Sequence, residues 1–116
     1  MKNIASKKYF YFVELAKKAV EVTDLSPLLA DEEKILNFIA VANTRGERLS
    51  VTDILARREL APPMTMQRKL KKLIEKGWIF YEPTEDGRRV QLKLTNNTLA
   101  YFSKLSKAMQ KAAKSS

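Results

Sequence analysis

The chain has no cysteine and no histidine among its 116 residues. Without cysteine there are no disulfides, no thiolate metal sites and no thiol redox switch. Without histidine the commonest metal ligand and the commonest general base are missing. Glycine is scarce, at three residues, which leaves no glycine-rich phosphate loop. The one acidic cluster, Asp31-Glu32-Glu33, is better explained as the first turn of a helix, where the macrodipole favours negative charge. Neither an enzyme nor a bound metal or cofactor is therefore expected. No apolar run reaches the ~20 residues that span a bilayer. The N-terminal MKNIASKKYFYF lacks the apolar core and small-residue end of a secretion signal. A cytoplasmic protein with no membrane partner is the expectation.

What the chain does have is positive charge. It carries 22 Lys+Arg against 13 Asp+Glu, a formal net charge of +9. With 45% hydrophobic and 30% charged residues, it suits a folded single domain over residues 1–116 rather than a disordered one. A small basic domain is a candidate for polyanions, nucleic acid first and anionic membrane second. The competing explanation is a basic surface kept for solubility.

Apolar periodicity divides the chain into elements. Residues 2–22 read as a helix, with Tyr9, Phe12, Val13, Ala16 and Val20 at three- and four-residue steps. The run Tyr9-Phe10-Tyr11-Phe12 is wider than one face, so it either packs on a partner subunit or exposes ring edges. The segment TDLSPLLA is a connector, since the residue before proline avoids helix. A helix from Asp31 to about Asn43 turns Ile35, Leu36, Ile39 and Ala42 inward, and Gly46 suits its C-terminal cap. A short strand over Arg48–Ser50 precedes a short helix capped by Ser50 or Thr52.

The most informative stretch follows. Residues 63–76 form a helix with Met66, Leu70, Leu73 and Ile74 on one side and Arg68 almost opposite. Thr65, Gln67, Lys71 and Lys72 flank Arg68. Arginine suits guanine edges and glutamine adenine edges, while Thr65 suits a phosphate or a thymine methyl. Lys71 and Lys72 suit phosphates. The alternative for this helix is a solvated polar face. Gly77 ends it. Residues 78–81 read as a strand, Thr84-Glu85-Asp86-Gly87 as a hairpin turn and residues 90–95 as the return strand. Arg88 and Arg89 sit at the tip, where a loop-borne arginine can reach a narrow minor groove. Asp86 can brace Arg88. Residues 96–114 form a last helix with the stripe Leu99, Phe102, Leu105, Met109 and Ala112.

This order, Thr65-x-x-Arg68, Leu73-x-Glu75-Lys76-Gly77, Asp86-x-Arg88 and Leu94-Thr95, resembles the MarR family of winged-helix transcriptional regulators. The resemblance covers residues 31–95, and the two ends by position. Glu59 stands where glycine is common in that family, and one helix follows the wing where two are common. The resemblance implies a mostly α fold with a small β-hairpin (α+β). Its core is a winged helix-turn-helix, flanked by N- and C-terminal dimerisation helices. It also implies a homodimer on double-stranded DNA, with the 63–76 helix in the major groove and Arg88, oriented by Asp86, in the minor groove. Many relatives respond to a small-molecule effector, which nothing in this sequence identifies. The alternatives are a winged helix used for protein–protein contact, or a plasmid or phage replication or partition factor.

Overall fold

The computed structural model describes residues 4–85, 87 and 89–115. Their order is α1 (Ile4–Glu21), α2 (Ala30–Thr44), α3 (Val51–Leu55), α4 (Pro63–Glu75), β1 (Ile79–Pro83), β2 (Val90–Leu94) and α5 (Asn96–Lys114). The class is the expected one, mostly helical with an antiparallel hairpin. The chain divides into two compact units: Leu25–Thr98, and Met1–Asp24 with Leu99–Ser116.

The Leu25–Thr98 unit is built around Trp78. Its ring is fully buried, as are Ile35, Ile39, Ile54, Met66, Leu70, Leu73 and Leu92 in the same unit. Each such apolar side chain contributes about 1.5–3 kcal/mol by leaving water. Trp78 also ties three segments together through its polar atoms. The indole N–H donates to the Ser26 carbonyl at 2.8 Å. The Trp78 carbonyl accepts from the Thr98 hydroxyl at 2.7 Å and the Thr95 amide at 3.2 Å. Just before it, Gly77 has φ +88, the left-handed conformation that ends α4 at low steric cost. The chain can then reverse directly into β1.

Helix α2 starts one residue earlier than expected, and Asp31, Glu32 and Glu33 lie in its first turn as read from the sequence. Leu29 is the capping residue, and the Glu32 carboxylate accepts the Leu29 N–H at 2.8 Å. Leucine has no side-chain acceptor, so only this half of a capping box forms. Asp31 is left in the first turn, free to reach outward.

The hairpin pairs Ile79 with Leu94 through to Pro83 with Val90. Strand β1 runs two residues past the expected end, because proline is tolerated on an edge strand. The expected strand at 48–50 shrinks to one bridge, Ser50 with Gln91, plus the Leu92 N–H to Leu49 carbonyl bond at 2.8 Å. The Asn43 amide takes the adjoining places on β2, donating to the Leu92 carbonyl and accepting the Leu94 N–H. A side chain thus covers the strand edge that a third strand would have covered.

Helix α3 is only five residues long and depends on its cap. The Ser50 hydroxyl accepts the Asp53 N–H, and the Asp53 carboxylate accepts the Ser50 N–H, both at 3.0 Å. Ser50→Ala removes one half of this box from a buried site. It should cost about 1–2 kcal/mol, read as a fall of several degrees in the thermal midpoint.

In the other unit, Ala19, Ala108 and Ala112 are the buried residues among those described. The Lys8 ammonium donates to the Ala113 carbonyl at 2.9 Å. The expected α5 stripe is buried in part, at Ala112. Phe102 and Leu105 are half-buried, but Leu99 and Met109 are 53% and 58% exposed. Ala108 and Ala112, one helical turn apart, are buried on the same side of α5. Tyr9 and Phe10 are also exposed, at 60% and 63%. Among the described residues no helix is long and apolar enough to cross a membrane.

Candidate nucleic-acid interface

Helix α4 is set by its ends and by one apolar stripe. Pro62 is the capping residue and Pro63 opens the first turn, where a missing N–H costs nothing. No side chain caps the helix, so its positive end is left open to solvent or to an anion. Met66, Leu70 and Leu73 are fully buried, and Ile74 is half-buried. This fixes which side faces out. Gln67, Arg68, Lys71 and Lys72 are exposed there, with Thr65 half-buried at the margin.

The cations of α4 divide into two sets. Lys69 pairs with Asp31 at 2.8 Å. Lys76 pairs with the buried carboxylate of Glu32 and donates to the Pro27 carbonyl at 3.0 Å. These two lysines fasten α4 to the start of α2. Lys72 lies 3.8 Å from Glu75 across one turn, with both side chains over half exposed. Such a pair contributes little. Among the described residues Arg68 and Lys71 make no ion pair, so they and the loosely held Lys72 are the charges this face offers outward.

Carboxyl behaviour agrees with this division. Burial pushes the Glu32 carboxyl up, but the Leu29 amide and the Lys76 ammonium, with Lys69 farther off, together hold it below its ordinary value. The Lys69 hydrogen bond holds Asp31 below the usual range. The Ser50 amide, then its hydroxyl, does the same for Asp53, and the Arg89 charge adds to it.

Arg89 stands apart from α4. It is exposed at the turn end of the hairpin, where the Thr84 N–H donates to its carbonyl at 3.0 Å. It lines a groove of about 950 Å³ with Asn43, Ser50, Asp53, Glu82 and Gln91, and no α4 residue lines it. Arg68 lines a different depression, of about 350 Å³, with Leu29, Glu32, Lys69, Lys72 and Lys76. The structure thus gathers Thr65, Gln67, Arg68, Lys71 and Lys72 on one helix and places Arg89 on another surface. Asp86 and Arg88 lie outside the described residues. Sequence reasoning missed Lys69 and Met64. Lys69 is indistinguishable in sequence from the lysines around it, and Met64 reads as filler after two prolines. In the structure Met64 is 84% exposed.

The architecture can be set beside known proteins. No family sequence model matches the chain, and no curated protein does. Solved structures do. A mutant MarR from E. coli complexed with operator DNA is 19% identical, with TM-score 0.57 over 96% of this chain and 72% of that one. The apo form of wild-type E. coli MarR is 20% identical, with TM-score 0.56 over 96% and 75%. The chain has the MarR-type winged-helix fold. YusO from Bacillus subtilis, 18% identical, aligns at TM-score 0.56 over 93% and 69%. In the terms of that fold, α3 and α4 form the helix-turn-helix and β1–β2 the wing.

Net charge is a poor guide to where the interface lies. Residues 1–24 and 99–116 hold nine lysines against three acids, so they carry +6 of the chain's +9. The winged-helix unit carries the remaining +3. What marks α4 is the arrangement of its charge, with Arg68 and Lys71 unpaired among the described residues opposite a fully buried stripe.

Proposed function

We propose that the chain is a sequence-specific DNA-binding transcriptional regulator. Helix α4 lies in the major groove, and its outward face reads the bases. The observation that carries this reading is Arg68, which stands opposite Met66, Leu70 and Leu73 with no carboxylate holding it among the described residues. A planar arginine fork matches guanine O6 and N7. Gln67 suits adenine. Lys71, Lys72 and Thr65 serve phosphates, which set register rather than sequence. At the wing, Arg88 in the minor groove with Asp86 bracing it, and Arg89 beside them, supply the second hold. The uncapped start of α4 suits a phosphate as well. The MarR structure with operator DNA supports a DNA partner for a fold of this kind. Regulation is by occupancy, since a protein lying across promoter DNA alters polymerase access. A gel shift on the chain's own upstream region tests it, and binding no tighter than to random DNA counts against it.

The same reading takes the protein as a cytoplasmic homodimer joined through α1 and α5. The exposed Tyr9, Phe10, Leu99 and Met109 are the apolar groups a second copy would cover. Two copies place two α4 helices on a pseudo-palindromic site about one helical turn apart. Solution mass checks this. Twice the 13.3 kDa chain mass is expected, and a stable monomer at micromolar concentration removes the two-half-site arrangement.

A further inference from the structure

Met64 is the most exposed large apolar side chain among the described residues, at 84%. It lies in the first turn of α4, one turn before Arg68, so the two point the same way about 6 Å apart along the axis. Every other side chain on that outward face is polar or charged. The stripe that packs α4 is already complete with Met66, Leu70 and Leu73, so Met64 is not needed for folding. Thr65, the other candidate for an apolar contact here, is half-buried.

We infer that Met64 is a specificity-determining residue that contacts the C5-methyl group of a thymine in the major groove. The inference rests on α4 being the DNA-reading helix. The N-terminal part of such a helix reaches deepest toward base edges. Of the four bases only thymine presents a methyl there, and an apolar side chain is what recognises it. Methionine suits the task, since its unbranched thioether chain adapts to the position of a single methyl. Arg68 and Met64 then divide the reading one turn apart, guanine by hydrogen bonds and thymine by exclusion of water.

The test uses the full-length protein and a duplex of about 30 bp, long enough for two half-sites a turn apart, selected by that protein from a random pool. Each thymine is replaced in turn by uracil, which removes the methyl and leaves pairing intact. With the wild-type protein, one position per half-site should lose about 4-fold in affinity, the value of one methyl leaving water. With Met64→Ala the same replacement should change affinity by less than about 1.5-fold, and the thermal midpoint should match wild type. An equal uracil loss in both proteins assigns the methyl to another side chain and overturns the inference. So does the absence of any uracil-sensitive position in a duplex that still depends on Arg68. Failure of the pool to enrich any sequence is a different result, because it removes α4 as a DNA reader altogether.

Discussion

Lys76→Met should lower stability by about 2–4 kcal/mol, a fall of roughly 10 °C in the thermal midpoint. The reason is what it leaves behind. Glu32 is 1% exposed, and its carboxylate is held by the Leu29 amide and the Lys76 ammonium. Removing the ammonium strands a buried negative charge. The Lys76 side chain is itself 21% exposed, so water softens the loss from the upper end of the range. Glu32→Gln should cost less, because the lysine left over can turn to solvent. The pH dependence follows from sign. In the wild type the folded-state value of Glu32 is depressed below its ordinary one. Its contribution is therefore present above that value and lost as pH falls through the folded one. In Lys76→Met the burial effect is no longer overcome, so the carboxyl takes up its proton at higher pH and the penalty shrinks on acidification. Urea midpoints at pH 7 and near pH 4 measure this. A Lys76→Met penalty that stays constant with pH would mean that lost packing, not the stranded charge, causes it.

Arg68→Ala should reduce specific DNA affinity by about 10- to 100-fold, the worth of one bidentate guanine contact. Non-specific affinity should fall less than about 3-fold. The contrast arises because non-specific binding scales with the number of phosphates neutralised, and lysines elsewhere are many. Folding should be unaffected, since Arg68 is exposed and makes no ion pair among the described residues. Lys71→Ala should behave the other way, weakening both kinds of binding alike and lowering the salt dependence by about one counter-ion. Competition titrations with specific and random duplexes at two salt concentrations separate the two patterns. Equal loss of both affinities in Arg68→Ala would make Arg68 a phosphate contact.

Much of this fold was legible because its signals are local. The α4 stripe shows plainly at helical spacing, and Met66, Leu70 and Leu73 are all fully buried. Gly87 marked the reversal between two strands, and Gly77 marked the end of α4. What was not legible depends on partners far away in the chain. Nothing near Glu32 announces that Lys76, 44 residues later, will neutralise it. Lys69, Lys71 and Lys72 form one run, and only the placement of Asp31 beside Lys69 separates a fastening lysine from the outward ones. In the α5 stripe Ala112 is buried while Leu99 and Met109 are exposed, because periodicity marks an apolar face without saying whether the chain itself or a second copy covers each residue. The short strand at 48–50 was limited by an asparagine side chain, whose mimicry of a strand no residue pattern encodes.

The most direct measurement is the affinity of the wild-type protein for its selected duplex against a scrambled duplex of the same length and composition, at about 0.15 M salt. Reading of bases by α4 predicts at least a ~10³-fold preference for the selected sequence, most of one logarithm or more of it removed by Arg68→Ala. Equal binding to both duplexes, unchanged by Arg68→Ala, would contradict it.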